Sequence, residues 1–402
     1  MNSKWVDKVC ARFQPKPAGQ PRGRASGPCI GSVMMYLGIR FFYRFTKSII
    51  VELVRFLFQK LHNWGPPLGA YSGLDLLRAG RVQGQVLLEA QALPRFLPGS
   101  VTLICGLKQE SGQPWPLFWC HLKKTRLVGP SLCPCNGEKR IMEESAYGKN
   151  FYGSDPSYNY LHLSAPQTLK GPWTSMACRW DRGYYHWFMD VLPRLASLSF
   201  FPLDTRCLAR GPLQPFQDET LRWLGLRDRF IFTEENHFFA ENFFYAGLAG
   251  MSGCINPWKV AFLRDHLGKM SAGQLGQGEN VYIIRRGKTR GLRNEQEVEA
   301  FFRRRGWSVI DTEQLTVAQQ AGIFAQAKKI CTLHGAALTN LIWASPGTQV
   351  LELLADNFLN GVYEGLAKVL GLDYSFRIYR GDSRCRIHVL EEDLMAWLEK
   401  PA

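Results

Sequence analysis

Residues 328–343, KKICTLHGAALTNLIW, decide the fold that we predict for this chain. An apolar run at 330–333 favours a β-strand, and a helical pattern starts at Ala337, directly after His334, Gly335 and Ala336. A strand that enters a helix through small residues aims free backbone N–H groups at a ligand, and the positive end of the helix dipole favours phosphate there. Gly335 permits either a positive φ or a close approach of the backbone to that ligand. An ordinary strand–helix turn without a ligand is the alternative. This stretch alone favours neither the ligand site nor the ordinary turn.

Alternating strands and helices continue on both sides of this stretch. The main series has strands at 281–285, 308–311, 330–333, 350–354 and 374–378, and helices at 295–305, 317–328, 337–344, 362–370 and 391–399. An earlier series has helices at 184–200, 217–226 and 258–266, and strands at 206–209, 230–232 and 242–246. Short connections between such elements predict parallel sheets covered by helices on both faces. Two units of this kind in tandem would form a cleft lined by the carboxyl ends of their strands.

The net charge of +15 is concentrated near the N-terminus, where residues 1–65 hold 11 Lys and Arg against Asp7 and Glu52. The basic excess therefore says little about the body of the protein. The composition is globular, and 402 residues are enough for two ordinary domains with an appendage. We predict a basic arm and amphipathic helix in residues 1–65, an N-terminal domain in 66–275 that is Rossmann-like from about 168, and a C-terminal Rossmann-like domain in 276–402. Residues 68–165 are irregular and β-rich, and no chemistry is assigned to them.

Residues 30–62 are apolar, but charges interrupt them too often for a span across a bilayer. Basic residues recur at helical spacing at 40, 44, 47 and 55, and the large apolar residues fall elsewhere around the helix. This pattern predicts an amphipathic helix on an anionic membrane surface, although a helix docked on its own protein fits equally well. No nucleic acid is expected as a partner, because the arginines of the core lie at strand ends rather than on one continuous basic face.

The 11 cysteines are scattered without the spacing of a disulfide framework, so we interpret most of them as buried thiols. Cys133 and Cys135, with Cys120 and His121 upstream, are a poor match to the spacing of zinc ligands, and a zinc site is the weaker alternative. The chain contains no N-x-S/T sequon, which favours a protein that does not meet eukaryotic glycosylation machinery. We therefore expect a cytoplasmic protein, with peripheral attachment to the inner face of the membrane as an alternative.

His186 and Asp190 stand four residues apart in the first series and would share one face of a helix. A carboxylate beside an imidazole fixes its tautomer and raises its basicity, which suits proton abstraction from a hydroxyl group. On spacing alone, a structural pair that holds a helix end is favoured, and Asp190 has a second i,i+4 partner in Arg194. Metal ligation is weaker still, because no third ligand is evident nearby.

Arginines follow the first strand of the main series, with Arg285 and Arg286 at its end and Arg290 before the next helix. Planar guanidinium groups suit phosphate oxygens, and the carboxyl end of a parallel strand is where ligands bind. A solvated basic loop is the alternative. Glu352 lies inside an apolar strand, where its carboxylate either pairs internally or accepts hydrogen bonds from ribose hydroxyls. Together these groups describe a nucleotide diphosphate pocket without a GxGxxG fingerprint, a P-loop or a metal-binding D-x-D.

Three segments together resemble the family 61 glycosyltransferases: YYHWFMDVLPRL at 184–195, VYIIRRGKTRGLRNEQE at 281–297 and CTLHGAALTNLIWASPGTQVLEL at 331–353. That family includes plant xylan-decorating xylosyl- and arabinosyltransferases, animal N-acetylglucosaminyltransferases and bacterial members. The resemblance covers about 173–354 and implies an inverting, metal-independent enzyme of GT-B architecture, with two Rossmann-like domains facing a cleft and the donor nucleotide on the C-terminal one. Ile284 stands where members of the family often have serine, which removes one hydroxyl contact.

The resemblance also implies site residues by motif position. It places Arg285, Arg290 and Asn294 near the diphosphate, and Glu352 on the ribose. The nucleotide-binding loop would consist of His334, Gly335, Ala336, Leu338, Thr339 and Asn340. His186 and Asp190 would face the cleft, and either of them would deprotonate the acceptor, while Arg285, Arg286 and the Gly335–Ala336 amides would absorb the charge of the leaving group.

We therefore predict transfer of a sugar from a nucleotide-sugar, with a UDP-sugar favoured, to a hydroxyl of a glycan or glycolipid, without a metal or other cofactor. A catalytically inactive relative that binds carbohydrate or nucleotide is the main alternative. A Rossmann-type oxidoreductase is less favoured, because no Gly-rich fingerprint follows a strand.

Overall fold

The computed structural model describes residues 69–88, 116–137, 140–146, 163–248, 252–274, 278–287 and 289–399. These residues belong to one compact unit that contains two β-sheets. The predicted arm and amphipathic helix of residues 1–65 lie outside the described residues, and the proposed boundary near 275 stays a prediction. In the described part of the chain, no helix combines the length and the apolar character needed to cross a membrane.

The described strands and helices follow the predicted alternation from residue 167 onward. The strands are β1 Gly69–Tyr71, β2 Gln83–Leu88, β3 Leu117–Val128, β4 Cys133–Cys135, β5 Arg140–Met142, β6 Gln167–Ser175, β7 Arg206–Arg210, β8 Phe230–Thr233, β9 His237–Ala246, β10 Asn280–Ile283, β11 Ser308–Ile310, β12 Lys329–Leu333, β13 Gln349–Ala355 and β14 Asp373–Tyr379. The α-helices are α1 Gly73–Arg78, α2 Tyr184–His186, α3 Pro215–Trp223, α4 Pro257–Leu267, α5 Glu295–Arg304, α6 Val317–Gln326, α7 Val362–Leu370 and α8 Glu391–Leu398. Short 3-10 helices lie at Glu143–Ala146, Leu192–Phe200, Arg227–Arg229, Gly268–Ser271, Thr312–Gln314 and Ala336–Trp343, and one π-helical turn at Trp187–Val191.

The second sheet is entirely parallel, in the order β11-β10-β12-β13-β14. Numbered within the sheet, this is the doubly wound order 2-1-3-4-5. In such sheets the strand order reverses beside the first strand, and the crevice outside the carboxyl ends of the two strands flanking that point binds ligands. Here the switch point lies between β10 and β12, so the loop that follows β12 within residues 328–343 lies at this position.

Helices cover both faces of the second sheet, as predicted. Successive residues of a strand point to opposite faces of the sheet, so each strand contacts both layers of helices. Tyr282 of β10 faces α5 and stacks on Phe302 with ring centroids 4.5 Å apart. Its neighbours Val281 and Ile283 join the opposite cluster, which includes α6, α7 and parts of the first sheet region. Burying each such large apolar side chain contributes roughly 1.5–3 kcal/mol, so these clusters hold the strand ends rigidly in place.

The first sheet is mixed, in the order β1-β5-β4-β3-β9-β6-β7-β8, with β2 on β3. Its strands β9, β6, β7 and β8 run parallel, as the alternation from 168 predicts. The sheet as a whole is mixed, because the long strand β3 pairs antiparallel with β9 over Trp119–Val128 and His237–Ala246. The two strands are separated by more than 100 residues, so no local pattern announces the pairing.

Two contacts tie the first sheet region to the second. Glu219 of α3 accepts hydrogen bonds from the backbone N–H groups of Val317 and Ala318, at 2.7 and 2.9 Å, and so caps the N-terminus of α6. The Tyr184 hydroxyl of α2 donates to Asn340 Oδ1 at 2.7 Å. The loop after β12 and the helix that carries His186 are therefore held against each other by direct hydrogen bonding.

Candidate functional site

A cavity of about 500 Å³ opens at the switch point between β10 and β12. One wall consists of residues after the strands of the second sheet, including Arg285, Thr312, Gly335 and Ala336. The other wall consists of Tyr184, Gln214, Pro215 and Phe216 from the first sheet region. Its volume is in the range of small-molecule sites, which hold apolar walls and a few placed polar groups.

Two charged residues line this cavity, the cation Arg285 and the carboxylate Glu313. The Arg285 guanidinium is about half-buried, it makes no ion pair with any described carboxylate, and its Nε has no described hydrogen-bond partner. Burial lowers the pKa of Arg285, and the nearby Arg290 adds to this lowering. A half-buried guanidinium without an ion pair is costly, and a bound anion would reduce that cost. The part of the cavity beside Arg285 therefore favours an anion.

Gly335 allows Arg285 to reach the loop after β12. The backbone of Gly335 is extended, with φ 179° and ψ 170°, so a positive φ is not the reason for glycine. A Cβ at this position would lie 2.1 Å from Arg285 Nη1, so any larger residue would clash with the guanidinium where it now lies. Of the two roles predicted for Gly335, close approach is the one observed, and its partner within the chain is an arginine.

The predicted helix after this loop is a 3-10 helix, Ala336–Trp343. Ala336 is exposed at its start and lines the cavity, whereas Leu338 and Thr339 are fully buried. The Asn340 side chain is also fully buried, donating from Nδ2 to Gln320 at 2.7 Å and accepting from Tyr184. Leu338, Thr339 and Asn340 therefore hold the loop in place, and the surface open to a ligand comes from Gly335 and Ala336.

His334, the residue after β12, contacts Glu352 of β13. His334 Nδ1 is 2.5 Å from Glu352 Oε1, and the Tyr374 hydroxyl donates to Glu352 Oε2. Glu352 is 0% exposed, so both carboxylate oxygens already have partners inside the protein. Of the two predicted roles for Glu352, internal pairing is the one observed, and a direct bond to ribose would require one of these contacts to break.

Three other predicted phosphate ligands have partners elsewhere. Arg286 is exposed and pairs with Glu299 at 3.3 Å and Asp311 at 3.6 Å. The Asn294 side chain accepts from the Val389 N–H at 3.1 Å and donates to the Val389 carbonyl at 2.9 Å, which fixes the C-terminal segment. Arg290 stacks over Phe358, with Cζ 4.7 Å from the ring centroid, and lies beside His334 rather than on the wall of the 500 Å³ cavity. None of the three lines the 500 Å³ cavity, and their placement near the diphosphate stays a prediction.

The second group of polar residues surrounds Asp190. Its Oδ2 lies 2.8 Å from His186 Nδ1 and accepts a hydrogen bond from Ser252 Oγ at 2.7 Å. Its Oδ1 lies 3.8 Å from Lys259 Nζ, and both atoms are buried without a described hydrogen-bond partner. The His186 side chain is 27% exposed, whereas Asp190 is almost fully buried. With Nδ1 held by the carboxylate, the other ring nitrogen of His186 is the one available to a substrate.

Arg194 does not pair with Asp190, contrary to the spacing. Its guanidinium is buried and donates to the carbonyls of Ser175, Met176 and Ala246 at 2.7–3.0 Å. The chain passes through a π-helical turn and then a 3-10 helix between the two positions, so ideal α-helical spacing does not hold. Arg194 instead fixes the ends of β6 and β9.

Aromatic rings connect the two histidines across the site. The Tyr185 ring makes an edge contact with His186 at 5.1 Å and with Tyr363 at 5.9 Å, and Tyr363 lies 5.3 Å from His334. Trp180 stacks on the other side of His186 at 5.2 Å. His186 is therefore three ring contacts from the residue that precedes Gly335, although it does not line the 500 Å³ cavity itself.

Sequence reasoning missed Ser252, Lys259, Tyr363 and Tyr374. A lysine and a tyrosine in amphipathic patterns give no signal of their own, since the contacts arise only when α4 and β14 pack beside their partners. No group of three or more potential His, Cys, Asp or Glu metal ligands occurs within the described ranges. Cys133 and Cys135 are buried there without a disulfide.

Comparison with known proteins bears on this site directly. The family model described as Glycosyltransferase 61 matches residues 184–351, from the start of α2 to the middle of β13. No curated protein matches the chain. The matched range contains both histidines, Arg285 and the loop after β12. Residues 184–351 are therefore similar to glycosyltransferase family 61, and this match supports a glycosyltransferase enzyme.

Proposed function

We propose that the protein is an inverting, metal-independent glycosyltransferase of GT-B architecture that takes a UDP-sugar as donor. The sugar would pass to a hydroxyl of a glycan or glycolipid. The observation that carries the donor assignment is the unpaired guanidinium of Arg285 against Gly335, at the switch point of a doubly wound sheet. A diphosphate carries the charge that this group lacks a partner for.

The diphosphate would lie between Arg285 and the backbone at Gly335 and Ala336. Negative charge grows on the leaving diphosphate as the sugar departs, and fixed donors in a partly dry site stabilise such charge strongly. Tyr184 and Phe216 provide an aromatic wall on the opposite side of the cavity, which suits stacking by the nucleobase. Glu352 supports this site indirectly, through His334 and Tyr374.

His186 is the base that fits the geometry better than Asp190. Asp190 is buried and its Oδ2 is shared by His186 and Ser252, whereas the imidazole reaches solvent. In the reaction, the acceptor hydroxyl would give its proton to the free ring nitrogen of His186. The acceptor oxygen would form a bond to the anomeric carbon as the bond to the diphosphate oxygen breaks, and the electron pair would leave with the nucleoside diphosphate. Attack opposite to the leaving group inverts the anomeric centre.

The proposals for the cellular location and for the acceptor are based on residues outside this site. The membrane-surface helix proposed for residues 30–62 lies outside the described residues, so peripheral attachment at the cytoplasmic face is a proposal based on sequence alone. A glycolipid acceptor would suit such attachment.

A screen of nucleotide-sugars with mixed glycan acceptors tests the proposed function. We expect release of UDP with transfer to an acceptor, equal rates with and without EDTA, and an inverted linkage in the product by NMR. Release of only GDP or CMP would contradict the UDP assignment, and inhibition by EDTA would contradict metal independence. A retained anomeric configuration would contradict the proposed single displacement.

A further inference from the structure

Lys259 is buried beside the proposed base without a role in the chemistry described above. It lies in the first turn of α4, is 1% exposed, and its Nζ has no described hydrogen-bond partner. The nearest opposite charge is Asp190 Oδ1 at 3.8 Å, which also lacks a hydrogen bond. Burying an ammonium group in an apolar core is costly unless a charge nearby repays it.

We propose that Lys259 is a positioning residue for the His186–Asp190 pair, and that its ammonium balances the charge of the buried Asp190 carboxylate. This inference rests on the proposed function for its catalytic consequence. The Asp190 carboxylate orients His186 through Nδ1 and leaves the other ring nitrogen free to accept the acceptor proton.

The surroundings of Asp190 support this division of roles. Its Oδ2 side holds His186 and the Ser252 hydroxyl, and its Oδ1 side holds Lys259. The other titratable groups that face it are the Tyr185 phenol and the Cys254 thiol. Burial raises the pKa of both groups, and Asp190 raises both further, so they stay neutral near pH 7. Lys259 is therefore the one described cation next to Asp190 besides His186 itself.

The charge on Lys259 also sets how readily the pair takes up a proton. A positive charge at this distance opposes protonation of the pair, because the cluster would then carry excess positive charge. Removing it favours proton uptake, so the pair would be protonated at higher pH. A protonated pair cannot accept a proton from the acceptor.

Titration of ¹³C-labelled His186 by NMR, in wild type and Lys259→Met, tests the proposal without any substrate. Methionine keeps the length and fills the apolar site, and the His186 resonance is assigned with His186→Ala. We expect the midpoint of the His186 titration to move to higher pH by about one pH unit, and the acid limb of the pH–rate profile to move with it. Lys269→Met, which removes an exposed lysine just after α4, should leave both unchanged.

An unchanged His186 midpoint in Lys259→Met would overturn the proposal, as would an equal shift in Lys269→Met. If Lys259→Met folds poorly, Lys259→Met/Asp190→Asn removes both charges, and its kcat should match that of Asp190→Asn alone. A further loss in the double variant would also overturn the proposal. Absence of transferase activity in wild type would contradict the proposed function, whereas the NMR titration would still decide the role of Lys259.

Discussion

Two histidine–carboxylate pairs in the described part of the chain make almost the same contact in different surroundings. His186 and Asp190 meet at 2.8 Å, and His334 and Glu352 at 2.5 Å. The His186 side chain is 27% exposed, whereas that of His334 is 10% exposed and packs against Tyr363 and Phe358. Exposure and the remaining partners of the carboxylate, not the pair itself, separate a candidate base from a structural support.

The largest expected effect is the loss of catalysis when the His186–Asp190 pair is broken. His186→Ala should lower kcat by roughly 10²–10⁴-fold, because a positioned general base contributes about that much. Affinity for the donor nucleotide should stay within about twofold of wild type, since His186 does not line the cavity. Steady-state kinetics and calorimetric titration with UDP measure the two quantities. His388→Ala, at an exposed position, is the matched control, and a normal kcat in His186→Ala would remove His186 as the base.

The buried pair should respond in stability first. Glu352→Gln removes the charge that holds both His334 and Tyr374, and a buried hydrogen bond to a charged group is worth about 1.5–3 kcal/mol. We expect the free energy of unfolding to fall by that amount in urea titrations at neutral pH. Glu391→Gln, which breaks the exposed pair with Arg304, should cost less than about 1 kcal/mol. Equal stability of the two variants would show that the environment does not separate them.

A third histidine is expected to make the stability of the fold depend on pH. His237 on β9 lies 2.5 Å from the Ser164 carbonyl through Nδ1, and Arg126 Nε donates to its Nε2 at 2.9 Å. Burial lowers the pKa of His237 from 6.5 to about 4, and Arg126 contributes to the same direction. The unfolded chain therefore binds this proton first, and stability present above pH 6.5 is lost progressively as the pH falls toward 4.

Urea titrations at several pH values between 7 and 4 check this prediction. His237→Gln, which does not titrate, should lose less stability than wild type over the same interval. An identical pH dependence in the two proteins would mean that His237 is already protonated in the fold or that other groups dominate.

Sequence predicted the second sheet well because its information is local. The helix at 362–370 is observed at Val362–Leu370, and the strand at 350–354 is observed at Gln349–Ala355. The alternation of short strands and helices fixes the parallel order once the connections are right-handed. The antiparallel pairing of β3 with β9 could not be predicted, because Trp119 and Ala246 meet only in the fold.

Prediction of the candidate site from the sequence has the same limit, because contacts between distant residues leave no local pattern. The loop at Gly335 and the His186–Asp190 pair follow from spacing, and both contacts are present. Arg285 and Arg286 are indistinguishable in the sequence, since both end the same strand. In the chain that follows β10, the Arg285 side chain lies against Gly335, whereas the Arg286 side chain pairs with Glu299 and Asp311. Lys259 and Ser252 reach Asp190 only because α4 packs on the helix that begins at Tyr184.

This difference between neighbouring arginines gives the most direct test of the donor site. Calorimetric titration with UDP would compare wild type, Arg285→Ala and the matched control Arg286→Ala. We predict that Arg285→Ala weakens binding by roughly 10- to 100-fold, the loss of about 1.5–3 kcal/mol from charged hydrogen bonds, and that Arg286→Ala binds within about twofold of wild type. Undiminished affinity in Arg285→Ala, or an equal loss in Arg286→Ala, would contradict a diphosphate site at the switch point.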